Sequence, residues 1–215
     1  MQATRRPISS RNSRCAAAVA GLLARRGIRP NVISVASAVF AAFAGVSLWL
    51  AGHAGKTGVP WLFLSAALLV QLRLLCNLFD GMVAIEGGFK TKSGEIFNEL
   101  PDRFADAFIL IGAGYSLPTS DWMPLLGWLG AVFAVLTAYV RALGASAGAS
   151  QHFCGPMAKQ HRMAVMTLAC ATSAAFSWLS VEFPLMPSAL ALIATGGVLT
   201  VFRRAHRIVQ ELELR

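Results

Sequence analysis

Charge is scarce in this chain. Asp, Glu, Lys and Arg make up 13% of its 215 residues, about half the ~25% of an ordinary soluble domain. So few charged groups argue against a water-soluble globular enzyme. Acids are scarcer still, 10 against 19 Lys and Arg. Cysteine is sparse too: Cys15, Cys76, Cys154 and Cys170 make no C-x-x-C pair and no zinc spacing. That excludes a disulfide framework or a zinc module; three of them sit in or beside apolar runs, and all four read as unpaired membrane-embedded or interfacial thiols. No cleavable leader is expected, because the apolar stretch 15–23 is short and has Arg on both sides. No internal repeat is present.

What is there is hydrophobic. The apolar share is 56% and the mean hydropathy +0.60, which excludes a disordered chain. The net charge of +9 and the pI near 10.3 would suit nucleic acid on a soluble fold. Here the basic residues punctuate apolar runs instead, the pattern of a membrane protein with basic cytoplasmic loops. No nucleic-acid partner is expected; membrane lipids are.

A bilayer core is crossed by about 20 apolar residues. Six stretches qualify: 32–51, 61–84, 94–117, 122–140, 163–181 and 183–202. The expected fold is all-α, a polytopic membrane protein of six transmembrane helices. Residues 1–30 form a basic N-terminal segment, 31–204 the membrane domain and 205–215 a C-terminal tail. Residues 9–26 mix Arg with Ala, Val and Leu and suit a helix lying on an anionic leaflet. Six spans put both termini on one side. That side receives 16 Lys and Arg, whereas the other receives Lys56 alone. The basic side, with both termini, is therefore cytoplasmic.

Polar residues within spans are costly and mark function. Here they fall in the cytoplasmic halves of spans two and three. Positions 77, 80, 81 and 84 share one helical face, and 94, 98, 102 and 106 share another. The link 86–93 holds Gly87 and Gly88 and can turn the chain so that the two faces oppose. Carboxylates and amides so placed make an oxygen-rich pocket suited to hard cations such as Mg²⁺ or Mn²⁺. Helix packing by small and polar residues is the plainer reading, but packing does not require the ionised Asp80 and Asp102. A cation near the inner leaflet suits a pyrophosphate substrate carrying a lipid.

The segment reads Asn77-Leu-Phe-Asp80-Gly81-Met-Val-Ala84-Ile85, eight residues, then Gly94-Glu-Ile-Phe-Asn98-Glu-Leu-Pro-Asp102. Its spacing resembles the motif D-x2-D-G-x2-A-R-x8-G-x3-D-x3-D of the CDP-alcohol phosphatidyltransferases, with no insertion. Arg29-Pro30-Asn31, at the start of span one, is also similar to that family. The departures are Asn77 and Asn98 for two aspartates and Ile85 for the arginine. By position, the resemblance implies that Asn77, Asp80, Asn98 and Asp102 line a metal site for Mg²⁺ or Mn²⁺. It implies that Gly81, Ala84 and Gly94 border the CDP moiety and that Asp102 is the general base. The implied reaction moves a phosphatidyl or related group from a CDP-linked lipid, CDP-diacylglycerol by analogy, to an alcohol acceptor, releasing CMP in phospholipid biosynthesis. The implied location is a bacterial inner membrane.

Two Asn remove two negative charges. Weaker metal binding is expected, with one ion in place of two and less cationic help for the leaving CMP. Glu95, Glu99 and Asp106 are positioned to restore charge. Arg141, Lys159 and Arg162 are candidates for binding a phosphate-bearing acceptor, although positive-inside anchoring explains them as well. Arg73, deeper in span two, is expected to pair with an internal acid, and Pro101 to bend span three. The small residues at 41–45 permit close helix contact, as in a homodimer. Two rival readings stand beside the enzyme: a non-catalytic CDP-lipid-binding relative, and a small transporter. Against the transporter, spans one, four, five and six hold no acid, so no polar path crosses the bilayer.

Overall fold

A computed structural model describes residues 13–89, 93–117, 121–181 and 183–214. These form seven helices: α1 (Arg14–Arg25), α2 (Pro30–Ala51), α3 (Val59–Glu86), α4 (Gly94–Gly114), α5 (Met123–Ser146), α6 (Lys159–Trp178) and α7 (Leu185–Glu213). The all-α expectation holds. Pro30 opens α2 behind Arg29, where a missing N–H costs nothing and the fixed φ suits the first turn.

Four helices, α2, α3, α5 and α7, are long and apolar enough to cross a membrane, and the chain is an integral membrane protein. The helices α4 and α6, of 21 and 20 residues, have the length but carry too much charge at their N-terminal ends to share that apolarity. The exterior is rich in large apolar side chains, among them Val39, Phe43, Leu125, Trp128, Leu192 and Leu199. The interior holds charge: Arg73, Asp106 and Arg162 are 0%, 0% and 1% exposed. Apolar outside and ionic inside is the arrangement expected of a bundle whose solvent is lipid.

Helix α2 is the spine, and both α3 and α4 pack along it. The small residues at 41–45 serve this contact. Ala41 and Ala44 are fully buried, and a Cβ on Gly112 of α4 would stand 2.6 Å from the Gly45 Cα. That run was expected to permit close helix contact, and here it lets two helices of one chain touch backbone to backbone. On the far side α5 packs against α4 and α7, and α6 against α3 and α7. The faces of α3 and α4 do not oppose each other directly, as the spacing had suggested. With α2 packed against both, they meet mainly through long side chains.

Several helix ends differ from the apolar runs. α5 continues past 140 to Ser146, and α7 past 202 to Glu213, taking up almost all of the expected tail. Charge ends an apolar run but not a helix, and 203–213 contains no Gly or Pro. The extension is also packed: Ile208 is buried, and a Cβ on Gly144 of α5 would meet its side chain. α4 stops earlier than expected, at Gly114, and Pro101 sits within it without ending it. Within the described part of 9–26 the chain is helical, as α1, with Ala16 and Ala20 buried and α3 as its neighbour. Residues 9–12 and Lys90, Thr91 and Lys92 of the expected α3–α4 link lie outside the described residues. All four thiols are free.

Candidate active site

The chain alternates direction, so the C-terminal ends of α3, α5 and α7 and the N-terminal ends of α2, α4 and α6 lie together. At this end stands Asp102, one residue after Pro101 on α4. It is buried and fully engaged. The Asn77 side-chain amide of α3 donates to Asp102 Oδ1 at 2.5 Å. Arg73 Nη2, one turn earlier on α3, reaches the same oxygen at 3.5 Å. The Lys159 ammonium of α6 donates to Oδ2, and Arg103 Nη2 lies 3.8 Å from it.

One turn deeper, Asp106 bridges two buried guanidinium groups. Its Oδ1 accepts from Arg73 Nη2 at 2.6 Å and its Oδ2 from Arg162 Nη2 at 2.6 Å. Arg162 also donates to the Met157 carbonyl at 2.8 Å. Arg204 of α7 donates to the Cys154 carbonyl at 2.9 Å and to the Thr137 carbonyl, tying α5, α7 and the α5–α6 loop. Asp106 thereby holds α3, α4 and α6 in register beneath Asp102. Breaking a buried pair from one side strands the other charge in a low-dielectric interior.

A cavity of about 480 Å³ opens beside this cluster, within the usual size of a small-molecule site. Asn77, Asn98, Glu99 and Asp102 line one wall. Arg103, Arg141, Lys159, Arg162 and Arg204 supply its positive charge. Arg141 pairs with Glu99 at 2.7 Å and lies 5.1 Å from the centroid of the Phe153 ring. Such a wall attracts a multiply charged anion. The three expected acceptor residues, Arg141, Lys159 and Arg162, all line this cavity, and so do Asn77, Asn98 and Asp102 of the motif. Among the described residues Asp80, Gly81, Ala84 and Gly94 do not. Asp80 turns to α2, where its Oδ2 accepts from the Ser34 hydroxyl at 2.8 Å.

The expected charge restoration does not take place. Glu99 is spent on Arg141 and on Arg103, which lies 3.4 Å away, Asp106 is spent on Arg73 and Arg162, and Glu95 is exposed. Five basic side chains line the cavity and add protein cations where less cationic help was expected. Among the described residues, no group of three or more His, Cys, Asp and Glu side chains could hold a metal ion. Asn77 offers Asp102 its NH₂, a donor, where a cation would need an acceptor. Buried guanidinium nitrogens (Arg73 Nε and Nη1, Arg162 Nε) have no hydrogen-bond partner among the described residues. Donors are in surplus, and the acceptors of Asp102, Asp106 and the Asn77 amide are spent. These residues therefore do not build a protein-only cage for a divalent ion. Mg²⁺ fits only where substrate phosphates complete its shell beside one or two carboxylates.

Ser34, Ser37, Thr137, Phe153 and Arg204 also belong to the cluster or its cavity and do not stand out in the motif spacing. Ser37 donates to Asn77 Oδ1 at 2.9 Å, so it orients the amide that holds Asp102. A polar residue at a buried helix position was the only available signal for the two serines. The signal for Arg204 was weaker still, because it reads as one of several basic residues after an apolar run.

No family model matches the chain. The inner membrane protein YnbA of Escherichia coli is 26% identical over 146 residues, 68% of each chain. The phosphatidylinositol phosphate synthase of Mycobacteroides abscessus is 23% identical over 201 residues, covering 88% of this chain and 81% of that one. Solved structures of the phosphatidylinositol phosphate synthase of Mycobacterium tuberculosis share the fold. One, with CDP-DAG bound, matches with a TM-score of 0.73 at 18% identity over 91% of this chain and 94% of that one. Another, in complex with manganese and citrate, matches with a TM-score of 0.74 at 19% identity over 90% and 88%.

Proposed function

We propose that this chain, which has the fold of phosphatidylinositol phosphate synthase, is a CDP-alcohol phosphatidyltransferase of phospholipid synthesis. The observation that carries the reading is the cavity itself: the motif residues Asn77, Asn98 and Asp102 form one wall, and Arg103, Arg141, Lys159 and Arg162 provide the charge that binds phosphates. The donor is a CDP-linked lipid, CDP-diacylglycerol by analogy with the bound relative. Gly81, Ala84 and Gly94 border the CDP moiety beyond the cavity wall. Six spans, with α4 and α6 among them, put both termini and the cavity at the cytoplasmic face of a bacterial inner membrane. There the lipid tails stay in the bilayer, and α1 lies at its surface.

In this reading the donor's pyrophosphate enters among the cations, and the Lys159 ammonium moves from Asp102 to a phosphate oxygen. Asp102 Oδ2 is then free to take the proton of the acceptor hydroxyl. The hydroxyl oxygen attacks the β-phosphorus, the bond to the bridging oxygen breaks, and CMP leaves with the negative charge. Arg73 and Asn77 keep Asp102 aimed, while Arg141 and Arg162 hold a phosphate-bearing acceptor. Mg²⁺ or Mn²⁺ would come with the phosphates, held by Asp102 and the Asn98 carbonyl, and would add positive charge there; Asp80 and the Asn77 carbonyl would join them only on giving up their bonds from Ser34 and Ser37.

The test is CMP release. Purified protein, CDP-diacylglycerol and a panel of alcohols, with and without Mg²⁺ or Mn²⁺, release CMP with one acceptor or more. The full engagement of Asp102 favours a second reading, a CDP-lipid-binding relative without catalysis. Retained CDP-lipid binding with no CMP release from any acceptor establishes that reading instead.

A further inference from the structure

A carboxylate at position 77, as the resembled motif has it, would face the Asp102 carboxylate across the 2.5 Å now spanned by a hydrogen bond. Two carboxylates so close must share a proton or take a cation between them. Asn77 converts that repulsion into a donated bond. The amide orientation is dictated by its neighbours: an ionised carboxylate only accepts, so the NH₂ must face Asp102, and the Ser37 hydroxyl meets the amide oxygen at 2.9 Å. The other Asp102 oxygen carries the Lys159 ammonium, and Arg73, fully buried, stands behind both acids. Arg73, Arg103, Lys159 and Arg162 bring four positive charges to the two negative charges of Asp102 and Asp106, Arg103 being shared with Glu99. A further dication would meet net repulsion, whereas an anion would be drawn in.

We propose that Lys159 is a built-in cation that, together with Asn77, does the work of a divalent ion in holding Asp102. The resting site therefore assembles without metal and excludes free Mg²⁺ and Mn²⁺. This rests on the phosphotransferase reading only for its expectation that a metal belongs near position 77. Lys159 and Asn77 are positioning residues here, acting through Asp102.

The experiment uses the full chain in detergent micelles, without substrate. Mn²⁺ binding is read by the loss of the free-ion electron paramagnetic resonance signal, and thermal unfolding is followed in EDTA and in Mn²⁺. Wild type takes up no stoichiometric Mn²⁺, and its unfolding temperature is the same in both. N77D/K159M binds Mn²⁺ at least about tenfold more tightly than wild type, about 1.4 kcal/mol, and unfolds at a higher temperature in Mn²⁺ than in EDTA. K159R, which keeps the cation, behaves as wild type. If N77D/K159M does not fold, K159M alone decides: gained Mn²⁺ affinity supports the proposal and unchanged affinity overturns it. Stoichiometric Mn²⁺ binding by wild type overturns it too. CMP release is a separate readout, so failure of the phosphotransfer reading leaves this titration interpretable.

Discussion

Arg73 of α3 and Asp106 of α4 form a fully buried ion pair at 2.6 Å, and Asp106 shares its second oxygen with Arg162 of α6. The pair lies one turn beneath Asp102 and, with Arg162, joins three helices. Removing one partner leaves a bare charge in the interior. Asp106→Ala is expected to cost about 3–5 kcal/mol of stability, read as a lower unfolding temperature in micelles. Replacing the charges together by apolar residues of similar size, as in the triple variant Arg73→Met, Asp106→Leu, Arg162→Met, costs less than Asp106→Ala alone. An Asp106→Ala protein as stable as wild type would remove the pair from its structural role.

The α2–α4 crossing makes a separate claim about packing. Because a Cβ at Gly112 would stand 2.6 Å from the Gly45 Cα, Gly112→Leu must push the helices apart. The expected cost is about 1–3 kcal/mol or more, with loss of activity following loss of fold. Unchanged unfolding would mean that this crossing is looser than described.

Arg141 tests the assignment of the acceptor. It lies on the cavity wall, held by Glu99 at 2.7 Å and lying against the Phe153 ring. Arg141→Ala is expected to raise the acceptor KM about ten- to hundredfold, the loss of one charged hydrogen bond of about 1.5–3 kcal/mol, and the donor KM by less. Equal effects on both constants would take Arg141 out of the acceptor pocket.

Much of this architecture was legible in the sequence, for identifiable reasons. Apolar runs locate helices because lipid demands them, and the motif spacing alone carries Asn77, Asn98 and Asp102 to one cavity. The pairing of Arg73 with an internal acid was also readable, because a guanidinium inside a span must find one. What was hidden depends on partners far apart in sequence. Asp80 shares a helical face with Asn77 but turns to Ser34, 46 residues earlier on α2. Arg204 looks like a topological anchor until its contacts at Cys154 and Thr137 are seen. Helix ends in charged stretches were hidden too, since hydropathy is blind to a helix such as the last turns of α7 that continues through Arg203, Arg204 and Arg207.

The most direct test of the account is CMP release from CDP-diacylglycerol by wild type and Asp102→Asn, side by side, with the acceptor that wild type uses. Asp102→Asn keeps the size of the side chain but cannot take a proton, and its NH₂ must displace one of the donors that Asp102 now accepts from. Release should fall by about 10²–10⁴-fold, the usual worth of general-base help, while CDP-lipid binding persists. Release by Asp102→Asn at the wild-type rate would contradict the assignment of the base and the site built around it.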